Sequence, residues 1–303
     1  MAEQAFKFPA WSGVNFTSTL HSSIPPSLRP ENQSLPDGLV ICITGASRGI
    51  GAETAKIFAQ TGAAGLILTA RTTEALQDTA AACFKVAKDK ALKISTLATI
   101  VDSEEDVKAL ATHIRQEYGR LDVLVNNAGV VSTDATAFSK IEDMNLSQVQ
   151  DIMNINYIGR FLTTKYLLPL LKTSQAKTVI DISSMGAHFT GGGPVAFNIS
   201  TLAGNRLTEW IADTYGSEGI LCYSVHPGMV GNARPPPGLP QEVMDDKCVD
   251  SADLCGAFLV WLLRERPEWL SGRYLSANWD VEELVGRKGE IVERDMLRMR
   301  MVV

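Results

Sequence analysis

The run Thr44-Gly45-Ala46-Ser47-Arg48-Gly49-Ile50-Gly51 sets three glycines between an apolar stretch, Leu39–Thr44, and a helix-forming stretch, Ala52–Gln60. Glycines suit such a turn for three reasons. The chain must leave a strand sharply, the backbone must approach a phosphate, and the helix must pack closely on a sheet. The helix N-terminus then presents free N–H groups and a partial positive charge to an anion. A glycine trio alone is weak evidence. Placed between a buried strand and an amphipathic helix, it points to a dinucleotide cradle built from Gly45, Ser47, Arg48, Gly49, Ile50 and Gly51. The competing reading is a glycine-rich turn that holds nothing.

The end of the second apolar stretch bears on which dinucleotide. NAD sites tend to place an acid there for the adenosine 2′-hydroxyl. This chain has Thr69-Ala70-Arg71, with no acid, and Arg48 can approach the same point. Two guanidinium groups suit a 2′-phosphate, which Arg grips bidentately. The expected cofactor is therefore NADP(H), against the blander possibility that Arg71 is a solvated loop residue.

These residues need a scaffold, and the chain supplies one. From Leu39 onward, short apolar runs alternate with helical patterns. The strands are expected at Leu39–Thr44, Gly65–Thr69, Ile94–Val101, Leu121–Val125, Thr178–Ile182, Leu221–Val225 and Arg273–Ser276. Helices are expected between them, among them a long one over Ser147–Leu171 and another over Phe197–Tyr215. Repeated β-then-α with near-continuous apolar strands means a parallel sheet covered on both faces. The expected fold is α/β, a Rossmann-type doubly wound parallel sheet of about seven strands. Residues 1–38 form an N-terminal arm, 39–276 the domain and 277–303 a helical extension. Pro25-Pro26, Pro30 and Pro36 keep the arm irregular. It is either disordered or draped over the body through Phe6, Phe8, Trp11 and Phe16.

Composition narrows the function. In 303 residues, 45% hydrophobic and 20% charged, a net charge of −6 argues against a nucleic-acid partner. No basic, then apolar, leader opens the chain, and no apolar run reaches the roughly 20 residues of a membrane span. Five cysteines without a Cys-x-x-Cys pair read as reduced thiols, so a cytoplasmic protein without membrane contact is expected.

The residues also resemble the short-chain dehydrogenases/reductases. Thr44–Gly51 is similar to that family's cofactor loop, and Asn126-Asn127-Ala128-Gly129 matches one of its most specific motifs. The resemblance implies that Asp102 contacts adenine, and that Asn127, Ala128 and Gly129 border the cofactor. It implies that Asn156 props an active-site water and that Ser184, rather than Ser183, is the catalytic serine. Pro227-Gly228-Met229-Val230 resembles the segment that holds the nicotinamide, with Asn232 where a Thr is usual. The family also assembles as dimers or tetramers through its long central helices, so a homodimer or homotetramer is expected.

One motif of that family is missing. Where it carries Tyr-x-x-x-Lys, this chain reads Phe197-Asn198-Ile199-Ser200-Thr201, and no Tyr here has a Lys four residues on. The Tyr is a general acid–base, worth roughly 10²–10⁴ in rate, and the Lys tunes it and holds the nicotinamide ribose. Phe197 has no proton to give and Thr201 no charge. Three functions remain open. One is a reductase of small-molecule biosynthesis acting on an acceptor that needs no simultaneous proton, such as an iminium or polarised enone. The second is a non-redox cyclase, isomerase or dehydratase in a repurposed pocket. The third is a cofactor-binding pseudoenzyme. The retained phosphate loop, Arg71 and Pro227-Gly228 favour the reductase.

Few residues could replace the Tyr. Ser184 can donate to a substrate oxygen. His188 lies on the loop Met185–Pro194 and is either an acid–base or a packing residue. Phe197 is either an apolar floor for a bulky substrate or a filler. The Pro235-Pro236-Pro237 run should make a stiff pocket wall, facing a rim widened by Gly191-Gly192-Gly193.

Overall fold

Seven apolar runs become seven parallel strands in the computed structural model, which describes residues 10–190, 193–231, 236–238, 241–242 and 248–301. They are β1 (Val40–Thr44), β2 (Gly65–Ala70), β3 (Lys93–Ala98), β4 (Val123–Asn126), β5 (Thr178–Ile182), β6 (Leu221–His226) and β7 (Tyr274–Ser276). The sheet order is β3-β2-β1-β4-β5-β6-β7. Every residue of β1, β4 and β6 is buried, as a sheet covered on both faces requires. From β1 the chain builds outward to β3, then returns to place β4 on the other side of β1. Between β1 and β4 this reversal opens a crevice at the carboxyl ends of the strands, where such sheets bind ligands.

Two helical layers cover the faces. On one lie α1 (Gly49–Thr61), α2 (Glu74–Val86) and α7 (Ala252–Glu265); α7 is packed on α1, and the core between them includes Phe58, Phe258 and Leu259. On the other lie α3 (Glu104–Tyr118), α4 (Leu146–Met153), α5 (Gly159–Leu171) and α6 (Val195–Tyr215), around Leu124, Leu167 and Ile211. Local sequence explains their ends. Ser103 accepts a hydrogen bond from Asp106 N at the start of α3, three acids follow in its first turn, and Gly119 ends it at φ +74°.

The helix expected over Ser147–Leu171 is two α-helical segments joined by a π-helical turn, Asn154–Ile158. Such a turn accommodates one extra residue, and at functional sites it re-aims a side chain; here it contains Asn156. The helical extension expected over 277–303 forms two short helices, α8 (Val281–Gly286) and α9 (Lys288–Glu293).

From residue 10 the arm is draped over the body. Leu28 and Leu35 enter the core, Phe16 packs on Trp279 at 5.0 Å between ring centres, and Trp11 stands beside Phe189. Phe6 and Phe8 lie outside the described residues. Trp279 is fully buried and donates its indole N–H to Gly13 O at 3.1 Å, while Glu283 accepts from the backbone of Ser18 and Thr19. The arm and the C-terminal extension therefore close on each other. Among the described residues, no helix is long and apolar enough to cross a membrane.

Candidate active site

At the carboxyl ends of β1, β2, β4, β5 and β6 the loops enclose a cavity of about 670 Å³. Two of the three glycines in the loop after β1 are required there by close approach. Gly45 has φ +67°, and a Cβ on Gly51 would sit 2.5 Å from both Asn127 Nδ2 and Gly45 O. A Cβ on Gly49 would meet nothing within 4 Å. Two of these glycines thus serve contact between loops, and the third faces open space.

Thr44 and Asn127 hold the loops together. The Thr44 hydroxyl accepts from Asn127 N and Ala128 N, both at 3.0 Å, and Asn127 Nδ2 donates to Thr44 O and Gly45 O. Asn126 points below, donating to Asp181 Oδ1 and Thr164 Oγ1. Arg48 precedes α1 in an extended conformation and makes no side-chain cap, and the first turn of α1 has no acid. The helix N-terminus therefore keeps its free N–H groups. Arg48 and Arg71 are exposed, line the cavity, and pair with no carboxylate among the described residues. Gly45, Ser47, Gly49, Ile50, Gly51, Asp102, Asn127, Ala128, Gly129, Pro227, Gly228 and Val230 all line the same cavity. Asn232 lies outside the described residues, as do Gly191, Gly192 and Pro235.

At the inner end lie Asn156, Ser183, Ser184, Phe197 and Thr201. Asn156 is held on three sides. Its Oδ1 accepts from Val130 N, and its Nδ2 donates to Val130 O and to Ser200 Oγ. The two serines differ. Ser183 is buried and donates to Asn205 Oδ1 at 2.6 Å, whereas Ser184 Oγ accepts from Gly186 N and keeps its proton to donate. Thr201 donates back into its own helix, to Phe197 O or Asn198 O. Among the described residues the lining includes no tyrosine and no lysine. Pro236 and Pro237 form part of the wall, pinned where Ser132 Oγ donates to Pro237 O at 2.7 Å.

His188 does not come to the cavity lining. Its ring meets Tyr274 edge-on at 4.3 Å, its Nε2 is buried without a partner, and burial lowers its pKa to about 4. The packing alternative describes its position. A histidine that sequence reasoning passed over does line the cavity. His226 is buried, and its Nδ1 accepts from Met185 N at 3.3 Å, which leaves the ring proton on Nε2. Burial and the neighbouring His188 push its pKa down to about 3.

Arg160 was also passed over. It lies one turn beyond Asn156, is 6% exposed and lines the cavity. Nη2 donates to Ile182 O at 2.7 Å, and Nε is 3.8 Å from Asp181 Oδ1. Nε and Nη1 have no hydrogen-bond partner among the described residues. Burial pushes the Asp181 carboxyl up, and the Arg160 charge opposes that shift. The signal available in the sequence was a charged residue where the helical pattern demands a buried one.

Known proteins match this architecture. The family model for short chain dehydrogenases matches residues 39–234. The chain is 36% identical to the short chain dehydrogenase citE of Monascus ruber over 98% of this chain and 99% of that one. It is 35% identical to the short chain dehydrogenase pgmD of Aspergillus terreus, over 98% and 97%. Among solved structures, a short chain dehydrogenase of Shigella flexneri complexed with NADP superposes with a TM-score of 0.70 at 26% identity, covering 81% of this chain and 99% of that one. The oxidoreductase yciK of E. coli gives 0.71 at 26%, covering 81% and 97%. With the parallel sheet, the glycine loop and the Asn-Asn-Ala-Gly turn in place, the chain belongs to the short-chain dehydrogenase/reductase family.

Proposed function

We propose that this protein is an NADP(H)-binding enzyme of small-molecule biosynthesis that reduces an activated acceptor, an iminium, enone or carbonyl, without a tyrosine acid. One cavity carries this conclusion: Arg48 and Arg71 line it with no carboxylate partner among the described residues, near the open N-terminus of α1, while Phe197 and Thr201 occupy the inner end. The residues fit a dinucleotide, since the uncapped helix and the empty space over Gly49 leave room and polarity for a pyrophosphate. The relatives' shared description as short chain dehydrogenases supports redox chemistry.

A bound reduced nicotinamide supplies a hydride. The protein's own residues must orient the acceptor and meet the charge left on it. An iminium takes the electron pair of its C=N bond onto nitrogen and needs no proton at that moment. A carbonyl leaves an oxyanion, to which Ser184 Oγ–H can donate a hydrogen bond while water delivers the proton. Phe197 supplies an apolar surface for the acceptor. The loss of a proton donor at position 197 also favours a second reaction class, cyclisation, isomerisation or dehydration without net redox change. That class predicts turnover with no NADPH consumed, and a pseudoenzyme predicts binding with no turnover. We place the protein in the cytoplasm, in keeping with the buried free thiols of Cys42, Cys83, Cys222 and Cys255. We also propose that copies pair through the outer faces of α5 and α6.

Calorimetry with NADPH, NADP⁺ and NADH tests the cofactor. NADPH should bind at least tenfold more tightly than NADH. Replacing both Arg48 and Arg71 by Ala should erase that preference, because a hydrogen bond to a charged group contributes about 1.5–3 kcal/mol. No binding at millimolar NADPH would overturn the reductase and leave the non-redox class.

A further inference from the structure

The cavity contains a cation that the proposed function has not used. Arg160 reaches from α5 towards β5, where its guanidinium lies against α6 at Gly204. A Cβ on Gly204 would overlap Nη1 outright, so the glycine makes room for this side chain. Thr201, one turn earlier on α6, lines the cavity beside it. Of five N–H donors, only one is engaged by a hydrogen bond among the described residues, and Nε and Nη1 are buried without partners there. Burying donors unpaired costs about 1–3 kcal/mol or more for a charged group, so packing alone does not account for an arginine here. Its counter-charge is Asp181, which Asn126 and Thr208 also hold by hydrogen bonds of 2.9 and 2.8 Å.

The position of this cation is informative. Arg71 follows β2, and Arg160 docks on β5, three strands away in the sheet order. Neighbouring strands are about 4.8 Å apart, so the strand that Arg71 follows and the strand on which Arg160 docks lie on the order of 14 Å apart across the cavity that both residues line. A ligand that satisfies both must be extended and polar at each end, as a dinucleotide is.

We propose that Arg160 is a positioning residue that holds the inner ribose of the bound dinucleotide, supplying from α5 the positive charge that Thr201 does not supply from α6. This rests on the NADP(H) assignment and adds a division of labour to it. Arg48 and Arg71 hold the adenosine end, and Arg160 holds the end where reaction occurs. The planar guanidinium offers its remaining donors to ribose hydroxyls. Asp181 keeps it oriented.

Binding of two ligands to four proteins tests this. NADPH spans the whole cavity, whereas 2′,5′-ADP reproduces the adenosine end alone. In the double variant Arg160→Met/Asp181→Asn both buried charges are removed together, which avoids stranding a carboxylate. It should bind NADPH at least tenfold more weakly than wild type and bind 2′,5′-ADP equally well. Adding Thr201→Lys to that background should restore NADPH affinity towards the wild-type value. Gly204→Ala, which displaces the guanidinium without removing it, should also weaken NADPH selectively. Unchanged NADPH affinity in the double variant, or equal loss of both ligands, would overturn the role of Arg160 and leave the cofactor assignment standing. Failure of wild type to bind NADPH would instead remove the assignment itself, and this inference with it.

Discussion

At the scale of single residues, two histidines in and behind the inner end of the cavity are kept uncharged. His226 and His188 are held neutral by burial, at about 3 and about 4 against an ordinary 6.5. In the unfolded chain both would take up protons near pH 6.5, so the unfolded state binds more protons below that value. Stability is therefore full above pH 6.5 and declines as the pH falls towards 4 and then 3. At pH 5 the His226 contribution is 1.5 pH units at 1.36 kcal/mol each, about 2 kcal/mol. Denaturant unfolding at pH 7 and pH 5 should show His226→Asn losing about 2 kcal/mol less than wild type over that interval. Asp181, pushed up by burial, works in the opposite direction but is common to both proteins. Equal losses would refute a buried neutral His226. The lining residues of the phosphate loop were legible from residue type and spacing, because glycine there answers a local demand of the backbone. Arg160 and His226 were not, since each is brought to the cavity by packing against a strand or loop distant in sequence. His188 shows the converse. Its chemistry and its place near Ser184 allow either an acid–base or a packing residue, and the 3₁₀ turn Met185–His188 directs its ring to Tyr274.

At the scale of elements, the cradle depends on two loops in contact. Asn127 ties the loop after β4 to the loop after β1, and Gly51 is the point where no side chain fits between them. Gly51→Ala would force atoms apart in a well-packed region, which costs about 1–3 kcal/mol. The expected result is a lowered urea midpoint together with NADPH affinity weakened at least tenfold. A variant that binds normally would show that the cradle tolerates a shift of α1. Strands β1, β2 and β4 were legible because each is a mostly apolar run of four to six residues bounded by turns, which leaves little choice of element. The π-helical turn was not, because an extra residue in a helix hardly disturbs the hydrophobic pattern over so short a stretch. The ends of β3 and β4 also moved by two or three residues, where apolar runs continue into loops.

At the scale of the molecule, exposed apolar side chains gather on one helical layer. Trp210 is 68% exposed on α6, with Ile199 three turns before it, and Phe161 is exposed on α5. Large aromatics left bare on a helical face are characteristic of a buried interface centre. Light scattering should therefore find a dimer or tetramer in wild type, and a Trp210→Glu protein should shift towards monomer while binding NADPH with little change. A wild-type monomer would discard the proposed pairing. Another long-range feature has a consequence for how the protein is made. The indole of Trp279 bonds a carbonyl 266 residues earlier in the chain. At a synthesis rate of about 5–20 residues per second, the arm waits roughly 13–50 s for that partner. During that interval the strands from β1 to β6 can assemble without the final clasp. The part of the arm around Gly13 and Phe16 therefore closes on the tail only after the sheet can have formed.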